Sequence, residues 1–408
     1  MKTSIAVRIS LAVLVAFTLS SISCAKHSPV GPDAWRASSN APERLSARAP
    51  AATAEKTLEG DIGPGAHYVI SVPGTWNGDL VLYAHGYTAP VFPVGLPPGE
   101  EVLVDGLRAL ALQGGFAFAY SSYSQTGLGL KDAAQRTSQL ANIFSDLVGE
   151  PSRTFLIGTS FGALAALKLV EDHPGRYAGL LTLSGMIGGV RAEIDYVSNV
   201  RVLFDYFYPG VLPGDLYELP AGFDLQRDLI DPATAAIQAN PQPAIALTQI
   251  AQTPIPFSNG LELGQSIIQA LALQAIELQD LLERTHGQGF FDNTSTIYTG
   301  NLPPELLADL NNRVARYSAG PAALNFLAKY YDPTGDLRIP MVSLHTTLDP
   351  VVPLFHETGY QALVDERGQT ANFHRTTVER YGHVMFTLDE IVAGFGQMVG
   401  LAARQPAP

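Results

Sequence analysis

Most of this chain alternates between short apolar runs and longer amphipathic stretches. The apolar runs are four to seven residues long, which is typical of buried strands, and the amphipathic stretches place their apolar residues at helical spacing. Predicted strands cover residues 57–62, 67–72, 79–84, 116–121, 154–157, 177–183, 339–344 and 372–378, and predicted helices cover residues 100–112, 131–148, 163–170, 265–284 and 389–403. This alternation predicts an α/β fold with a mostly parallel sheet and helices on both of its faces.

The alternation stops between residues 188 and 336. Proline-rich turns, an aromatic cluster at 206–208 and one long helical stretch at 265–284 occupy this segment. The apolar residues of that stretch recur at helical spacing, which favours packing within the segment over contact with a lipid substrate. We therefore expect a mainly helical cap at 188–336, inserted between a first core part at 57–187 and a second core part at 337–408.

The N-terminus has the pattern of an export signal. Lys2 and Arg8 precede an apolar run at 11–19 that is too short to span a membrane, and small residues follow it. Residues 1–23 are accordingly predicted to be a signal peptide. Residues 24–56 are rich in alanine, serine, proline and arginine, without apolar periodicity, and are predicted to be a flexible tether.

The chain has a single cysteine, Cys24, so an internal disulfide cannot form. Its place directly after the signal resembles the lipid-attachment site of a bacterial lipoprotein. Ser21 stands where such signals usually carry leucine, so ordinary cleavage nearby remains an alternative. Both alternatives predict an exported protein that is periplasmic, extracellular or anchored to the outer membrane.

Composition limits the classes of function. The 408 residues are 46% hydrophobic and 15% charged, which is ample for a large core, and the formal net charge of −13 argues against nucleic acid as a partner. No internal repeat and no convincing metal-ligand spacing are present, so we expect neither a metal nor another cofactor. The sequence leaves the oligomeric state open.

One motif lies at the junction of a predicted strand and a predicted helix. Residues 158–162 read Gly-Thr-Ser-Phe-Gly, directly after strand 154–157 and directly before the apolar run at 163–170. This arrangement predicts a sharp turn that exposes the hydroxyl of Ser160 above the sheet, with glycines where neighbouring chain passes close. The amides at the start of the helix would face the negative charge that develops in acyl transfer.

A serine hydroxyl needs a base, and the base needs an acid that fixes its orientation. Asp349 and His383 follow the last two predicted strands, which gives the chain order serine, acid, histidine. Upstream, the strand at 79–84 ends in His85-Gly86-Tyr87.

Four pieces together resemble the α/β-hydrolase superfamily over residues 57–404: His85-Gly86, the turn at Ser160, Leu-Asp-Pro-Val-Val-Pro at 348–353, and Tyr-Gly-His at 381–383. The resemblance implies an α/β-hydrolase fold. It also implies that Ser160 is the nucleophile, that His383 is the general base and then the general acid, and that Asp349 orients His383. The backbone amides of Tyr87 and Phe161 would form the oxyanion hole.

Other residues compete for these roles. His345 and His356 flank Asp349 too closely to be the separate base and are expected to be hydrogen bonders, while His374 lies within a predicted strand. Some members of the superfamily place the acid after the strand that follows the nucleophile helix, which would favour Asp195.

A serine at position 160 excludes epoxide opening and halide displacement, which use a carboxylate there in this superfamily. Acyl transfer to water remains, and we expect a serine hydrolase that cleaves small or polymeric carboxylic esters. One alternative is a peptidase of the same fold, with the substrate amine held by Asp205, Asp215 and Glu218 in the cap. The other is a binding module without activity, in which a triad member would be expected to be lost; all three are present.

Overall fold

The computed structural model describes residues 55–255 and 260–404. The predictions for the signal peptide, for Cys24 and for all but the end of the tether fall outside the described residues. Among the described residues, no helix combines the length and the apolar character that a membrane crossing requires.

A single eight-stranded sheet forms the centre of the described chain, in the order β1-β2-β4-β3-β5-β6-β7-β8. The strands are β1 (Lys56–Gly63), β2 (Ala66–Val72), β3 (Asp79–Ala84), β4 (Ala117–Ser121), β5 (Arg153–Thr159), β6 (Gly179–Leu183), β7 (Met341–Leu348) and β8 (Phe373–Tyr381). β2 runs antiparallel to β1 and to β4, and every other neighbouring pair is parallel. The predicted mostly parallel sheet is confirmed.

Within residues 55–255 and 260–404, eleven α-helices accompany the sheet: α1 (Glu101–Gln113), α2 (Leu130–Leu147), α3 (Phe161–Asp172), α4 (Val190–Phe207), α5 (Asp231–Ala239), α6 (Gln242–Ala251), α7 (Gly260–Arg284), α8 (Pro304–Arg313), α9 (Pro321–Tyr330), α10 (Phe355–Glu366) and α11 (Leu388–Ala402). A π-helical turn (Gln226–Ile230) precedes α5, and a 3-10 turn (Thr370–Asn372) precedes β8.

Side chains on the two faces of the sheet build two cores. Leu80 of β3 belongs to the core that also contains Phe144 of α2 and Leu164 of α3. Val81, the next residue, belongs to the core that contains Leu107 of α1 and Phe395 of α11. Because successive residues of a strand point to opposite faces, the central strands are apolar throughout and bury both faces.

The segment between β6 and β7 contributes helices α4 to α9 and no strand among its described residues. Six of the helices were not predicted individually from sequence: α4, α5, α6, α8 and α9 in this segment, which was predicted only as mainly helical, and α10 after β7. The valines and aromatic residues of α4 have weak helix propensity, so its helical state depends on packing: Val197, Val200 and Phe204 are fully buried.

The strands β7 and β8 are longer than predicted, reaching Leu348 and Tyr381. His345 therefore lies within β7, where its ring is fully buried. The predicted strand ended just before His345, because a polar ring was not expected inside an apolar strand. Hydrogen bonds to other parts of the chain, described below, make the buried position of His345 possible. The sheet order, the serine turn after β5 and the helical insertion after β6 give this chain the α/β-hydrolase fold.

Candidate active site

Ser160 occupies a strained turn between β5 and α3. Its backbone has φ 53° and ψ −121°, a region that residues other than glycine rarely adopt. The neighbouring chain holds it there: Ser160 donates its N–H to the carbonyl of Leu183 at 3.0 Å, and its own carbonyl accepts from the N–H groups of Ala163 and Met186, each at 3.1 Å. The serine is thereby fixed at the carboxyl edge of the sheet, where open α/β sheets bind ligands.

The glycines on both sides of this turn are sterically required. A Cβ atom on Gly162 would lie 2.1 Å from the carbonyl oxygen of Ala84, and one on Gly158 would lie 2.5 Å from the Cα of Ala163. Both contacts involve backbone atoms that cannot move aside cheaply. The motif thus lets α3 pack directly against the end of β3.

Asp349 and His383 are brought together after β7 and β8. His383 Nδ1 lies 2.8 Å from Asp349 Oδ2, and the other oxygen of Asp349 accepts hydrogen bonds from the N–H groups of Val351 and Val352, each at 3.0 Å. Burial alone would raise the pKa of Asp349, but the charge and hydrogen bond of His383, together with His345, outweigh burial and lower the pKa. With Nδ1 committed to the carboxylate, Nε2 of His383 is the nitrogen that can accept a proton.

The histidine loop is tied to the serine turn through β6. Val384, next to His383, donates its N–H to Ser184 Oγ at 3.1 Å. Ser184 directly follows Leu183, whose carbonyl accepts from Ser160. Ser160, Asp349 and His383 therefore occupy loops after β5, β7 and β8 at one edge of the sheet.

Tyr87 and Phe161 lie side by side near Ser160. Their rings meet edge to face with centroids 6.4 Å apart. Phe161 is the first residue of α3, so its N–H has no partner within the helix. A Cβ built on Gly86, the neighbour of Tyr87, would lie 3.7 Å from the Cβ of Ser160, which places this loop beside the serine.

The carboxyl group of Glu100, whose role was not predicted from the sequence, supports the loop of Gly86 and Tyr87. Glu100 accepts the N–H of Gly86 on both of its oxygens, at 3.0 and 3.1 Å, and also contacts the Tyr83 hydroxyl. Burial raises the pKa of Glu100 to about 7. The amide of Gly86 is thus engaged by this carboxyl group. Glu100 was read as the start of a helix, and no local pattern indicates its contact with Gly86.

His85 also fixes the loop. Its Nδ1 lies 2.8 Å from the carbonyl oxygen of Gly86, and its ring stacks on Tyr123 with centroids 3.8 Å apart. Burial lowers the pKa of His85 to about 4, so the ring is neutral at physiological pH.

The competing histidines hydrogen bond elsewhere, as expected. His345 Nε2 lies 2.8 Å from the carbonyl oxygen of Val352, and its Nδ1 lies 3.2 Å from Glu357 Oε1. His356 is fully buried, with Nε2 3.0 Å from Glu193 Oε2. His374 lies half-buried on β8.

The competing carboxylates lie in the helical insertion. Asp195 is half-buried on α4, where burial raises its pKa to about 6, and His383 is bonded to Asp349 instead. Asp205 pairs with Arg201 at 2.9 Å. Asp215 accepts the N–H groups of the two residues at 217 and 218, each at 2.8 Å. Asp205 and Asp215 thus make contacts within the insertion.

No group of three or more potential metal ligands is clustered within the described part of the chain. The groups at this edge of the sheet include the Ser160 hydroxyl, the His383 imidazole, the Asp349 carboxylate and backbone amides. Such a set can carry out acyl transfer.

No protein-family model matches this chain. It is similar to an o-phthalyl amidase from Xanthobacter agilis, with 23% identity over 400 residues, covering 83% of this chain and 86% of the relative. Similar solved structures include a mutant of the rice cell wall degrading esterase LipA from Xanthomonas oryzae, with 14% identity, coverage of 82% and 86%, and a TM-score of 0.42. An esterase from Pyrococcus furiosus has 10% identity, coverage of 86% and 90%, and a TM-score of 0.43. Proline iminopeptidase from Mycobacterium smegmatis has 12% identity, coverage of 85% and 100%, and a TM-score of 0.42.

Proposed function

We propose that this protein is an exported serine hydrolase that cleaves carboxylic esters through an acyl-enzyme. The observation that carries the proposal is the 2.8 Å contact between His383 Nδ1 and Asp349 Oδ2, on the same sheet edge as the strained Ser160. A free base nitrogen, an ionised carboxylate behind it and a nucleophile presented on a sharp turn are the parts that acyl transfer needs.

The first half of the reaction forms the acyl-enzyme. Ser160 Oγ attacks the ester carbonyl carbon while its proton passes to His383 Nε2, and Asp349 stabilises the imidazolium that results. The carbonyl oxygen becomes an oxyanion, which accepts hydrogen bonds from the amides of Tyr87 and Phe161. The tetrahedral intermediate collapses as His383 returns the proton to the leaving alcohol.

The second half reverses these roles with water as the nucleophile. His383 removes a proton from water, the hydroxide attacks the acyl carbon, and Ser160 leaves with the proton that His383 returns. The carboxylic acid is released and the serine is regenerated. No further oxidant, reductant or co-reactant is needed.

An amide substrate is the second candidate, and the o-phthalyl amidase relative favours it because the similarity extends over 83% of this chain. The same residues would act, with His383 protonating a leaving amine instead of an alcohol. A binding module without activity fits less well, because the chain keeps a serine, a histidine and an acid in a suitable arrangement.

Ester and amide substrates of the same acids distinguish the esterase, the amidase and the binding module. Purified protein would be assayed against p-nitrophenyl esters of increasing acyl length and against p-nitroanilides of the same acids. We expect ester hydrolysis, and we expect a fluorophosphonate probe to label Ser160 in a peptide-mass analysis. Preference for the anilides would support the amidase alternative. Absence of both turnover and labelling would support the binding module.

A further inference from the structure

The helix α7 crosses the carboxyl edge of the sheet. Near its start, Ser266 Oγ lies 3.0 Å from the hydroxyl of Tyr381 at the end of β8. Near its end, Asp280 accepts the N–H of Leu128, in the loop after β4, at 2.6 Å. The two anchors are about 21 Å apart along a helix, and β8 and β4 are separated by five strand spacings, about 24 Å. The middle of α7 therefore lies above β5 and β6, over Ser160.

Helical spacing determines which residues of α7 face the sheet edge. Between the anchors Ser266 and Asp280, steps of three and four residues lead through Gln269, Leu273 and Glu277, which share their face. Gly127, next to Leu128, donates its N–H to the carbonyl of Thr88 at 2.7 Å, which brings this end of α7 to the loop of Tyr87. After burial itself, the charge of Glu277 is the main cause of the raised pKa of the Tyr87 hydroxyl. α7 thus presents two polar side chains and one leucine on the face that it shares with its two anchors.

The polar atoms on this face are buried without hydrogen bonds among the described residues. Glu277 is 2% exposed and its Oε2 has no partner, and Gln269 is 6% exposed and its Oε1 has none. The Tyr87 hydroxyl is also buried without a hydrogen-bond partner among the described residues. Each buried polar group without a hydrogen bond costs about 1 to 3 kcal/mol. Three such groups in one region indicate that a ligand forms hydrogen bonds with them.

A second carboxyl group reaches the same region from α4. Gly188 donates its N–H to His356 Nδ1 at 3.2 Å, so the hydrogen of the neutral ring is on Nε2, which donates to Glu193 Oε2 at 3.0 Å. Glu193 is 1% exposed, and its Oε1 has no partner among the described residues. α4, which carries Glu193, packs against α7, which carries Glu277. Consistent with that packing, burial and then the charge of Glu277 raise the pKa of Glu193.

We propose that Glu277 and Glu193 form a subsite that accepts hydrogen bonds from a donor group of the substrate, either a hydroxyl or an ammonium, while Ser160 acts on the ester. The unmatched carboxyl and amide oxygens are acceptors, and Arg284, the cation near them, is already paired with Asp280 at 3.0 Å. The subsite therefore favours a donor over an anionic group. This inference rests on the proposed hydrolase function and names its substrate class.

Three p-nitrophenyl esters with acyl chains of equal length test the subsite, ending in a methyl, a hydroxyl or an ammonium group. For the wild type, assayed above the pH of about 8 at which Glu277 ionises, we expect kcat/KM to be about 10- to 100-fold higher for one of the two donor esters than for the methyl ester, as for a hydrogen bond to a charged group. Glu277→Leu should remove this preference. Glu277→Gln keeps an acceptor oxygen but cannot become charged, so it should retain a preference for the hydroxyl ester and lose one for the ammonium ester.

The control is Glu283→Gln, an exposed carboxylate on the same helix, which should keep the wild-type preference. Circular dichroism would establish that each variant is folded. Equal kcat/KM for all three esters in the wild type would overturn the subsite and leave the proposed hydrolase function standing.

Calorimetric binding of the three esters to Ser160→Ala measures the same preference without turnover. Tighter binding of a donor ester would support the subsite even if the proposed ester hydrolysis failed. Equal binding of all three would contradict the subsite independently of catalysis.

Discussion

The imidazole of His345 lies directly behind Asp349, with its Nε2 3.8 Å from Asp349 Oδ2. Both residues are fully buried. Nε2 faces the carbonyl oxygen of Val352, which only accepts, so this nitrogen carries a hydrogen. Burial alone would lower the pKa of His345, but Glu357 at 3.2 Å and then Asp349 outweigh burial and raise the pKa. The raised pKa favours the protonated form of His345, and His345 is among the groups that lower the pKa of Asp349.

Replacing His345 should weaken both folding and activity. Leucine would leave the buried Glu357 carboxyl without the ring that faces it at 3.2 Å, so we expect His345→Leu to lower the free energy of unfolding by about 1 to 3 kcal/mol and to reduce kcat. His345→Gln should be milder. Urea denaturation and ester kinetics would measure both effects, with His374→Gln, a half-buried histidine on β8, as the matched control. Wild-type stability and kcat in His345→Leu would contradict this role.

Ser160 is the proposed nucleophile and also has a strained backbone. Two variants distinguish the effect of its hydroxyl on activity from the effect of the strain on stability. Ser160→Ala should reduce ester hydrolysis by on the order of 10⁶ with the fold unchanged. Ser160→Gly should be equally inactive but more stable than Ser160→Ala by about 1 to 3 kcal/mol, because glycine accepts a φ of 53° without strain. Residual activity above about a thousandth of the wild type would place the nucleophile elsewhere.

Gly162, two residues after Ser160, should not tolerate even one added methyl group. In Gly162→Ala the new Cβ would overlap the carbonyl oxygens of Ala84 and His85, so we expect loss of soluble folded protein or strong destabilisation. Gly396→Ala in α11 is the control, since no atom lies within 4 Å of the position of its Cβ. That variant should be slightly more stable than the wild type. Equal melting temperatures for the two variants would argue against close packing of the serine turn.

Glu277 should make stability depend on pH. Burial, and then the charge of Asp280, raise its pKa from an ordinary 4.5 to about 8. Between these values the folded protein retains a proton that the unfolded chain releases, so stability falls as pH rises through this window, by up to about 1.4 kcal/mol per pH unit. Glu193, Tyr87 and Asp280 are the titratable groups around it.

The difference in unfolding free energy between the wild type and Glu277→Gln isolates this contribution, because the neighbouring groups titrate in both proteins. We expect the wild type to lose stability relative to the variant from about pH 5 to pH 8. The exposed Glu283→Gln should show no such slope. A difference that does not change with pH would mean that Glu277 ionises normally in the folded protein.

Export and anchoring through Cys24 remain a proposal. If the cysteine is lipidated, the mature protein should begin at Cys24 and partition with membranes, since each buried CH₂ of an acyl chain contributes about 0.8 kcal/mol. Cys24→Ser should then release a soluble protein with unchanged turnover, because the tether predicted at 24–56 would separate the anchor from the sheet. Intact-mass measurement would decide: an unmodified N-terminus at or beyond Cys24 would indicate a freely exported protein.

Local patterns in the sequence were enough to predict the sheet and the serine turn. Apolar runs of strand length separated by helical stretches determine a mostly parallel α/β sheet, because each element must bury one or both faces. The glycines at 158 and 162 indicate close backbone approach, and the structure places backbone atoms within 2.5 Å of their absent Cβ positions. The order of Ser160, Asp349 and His383 could be read because all three follow strands of one sheet.

Only the tertiary structure decided which residues surround Ser160, Asp349 and His383. The contacts of Glu100 with Gly86, His356 with Glu193, and Asp280 with Leu128 join positions 14, 163 and 152 residues apart, and no local pattern encodes such pairs. Sequence reasoning chose Asp195 as the alternative acid and found no helix at α4, whereas the folded helix turns Glu193 inward. The periodicity of a segment fixes which of its residues share a face, but what that face contacts depends on how distant segments pack.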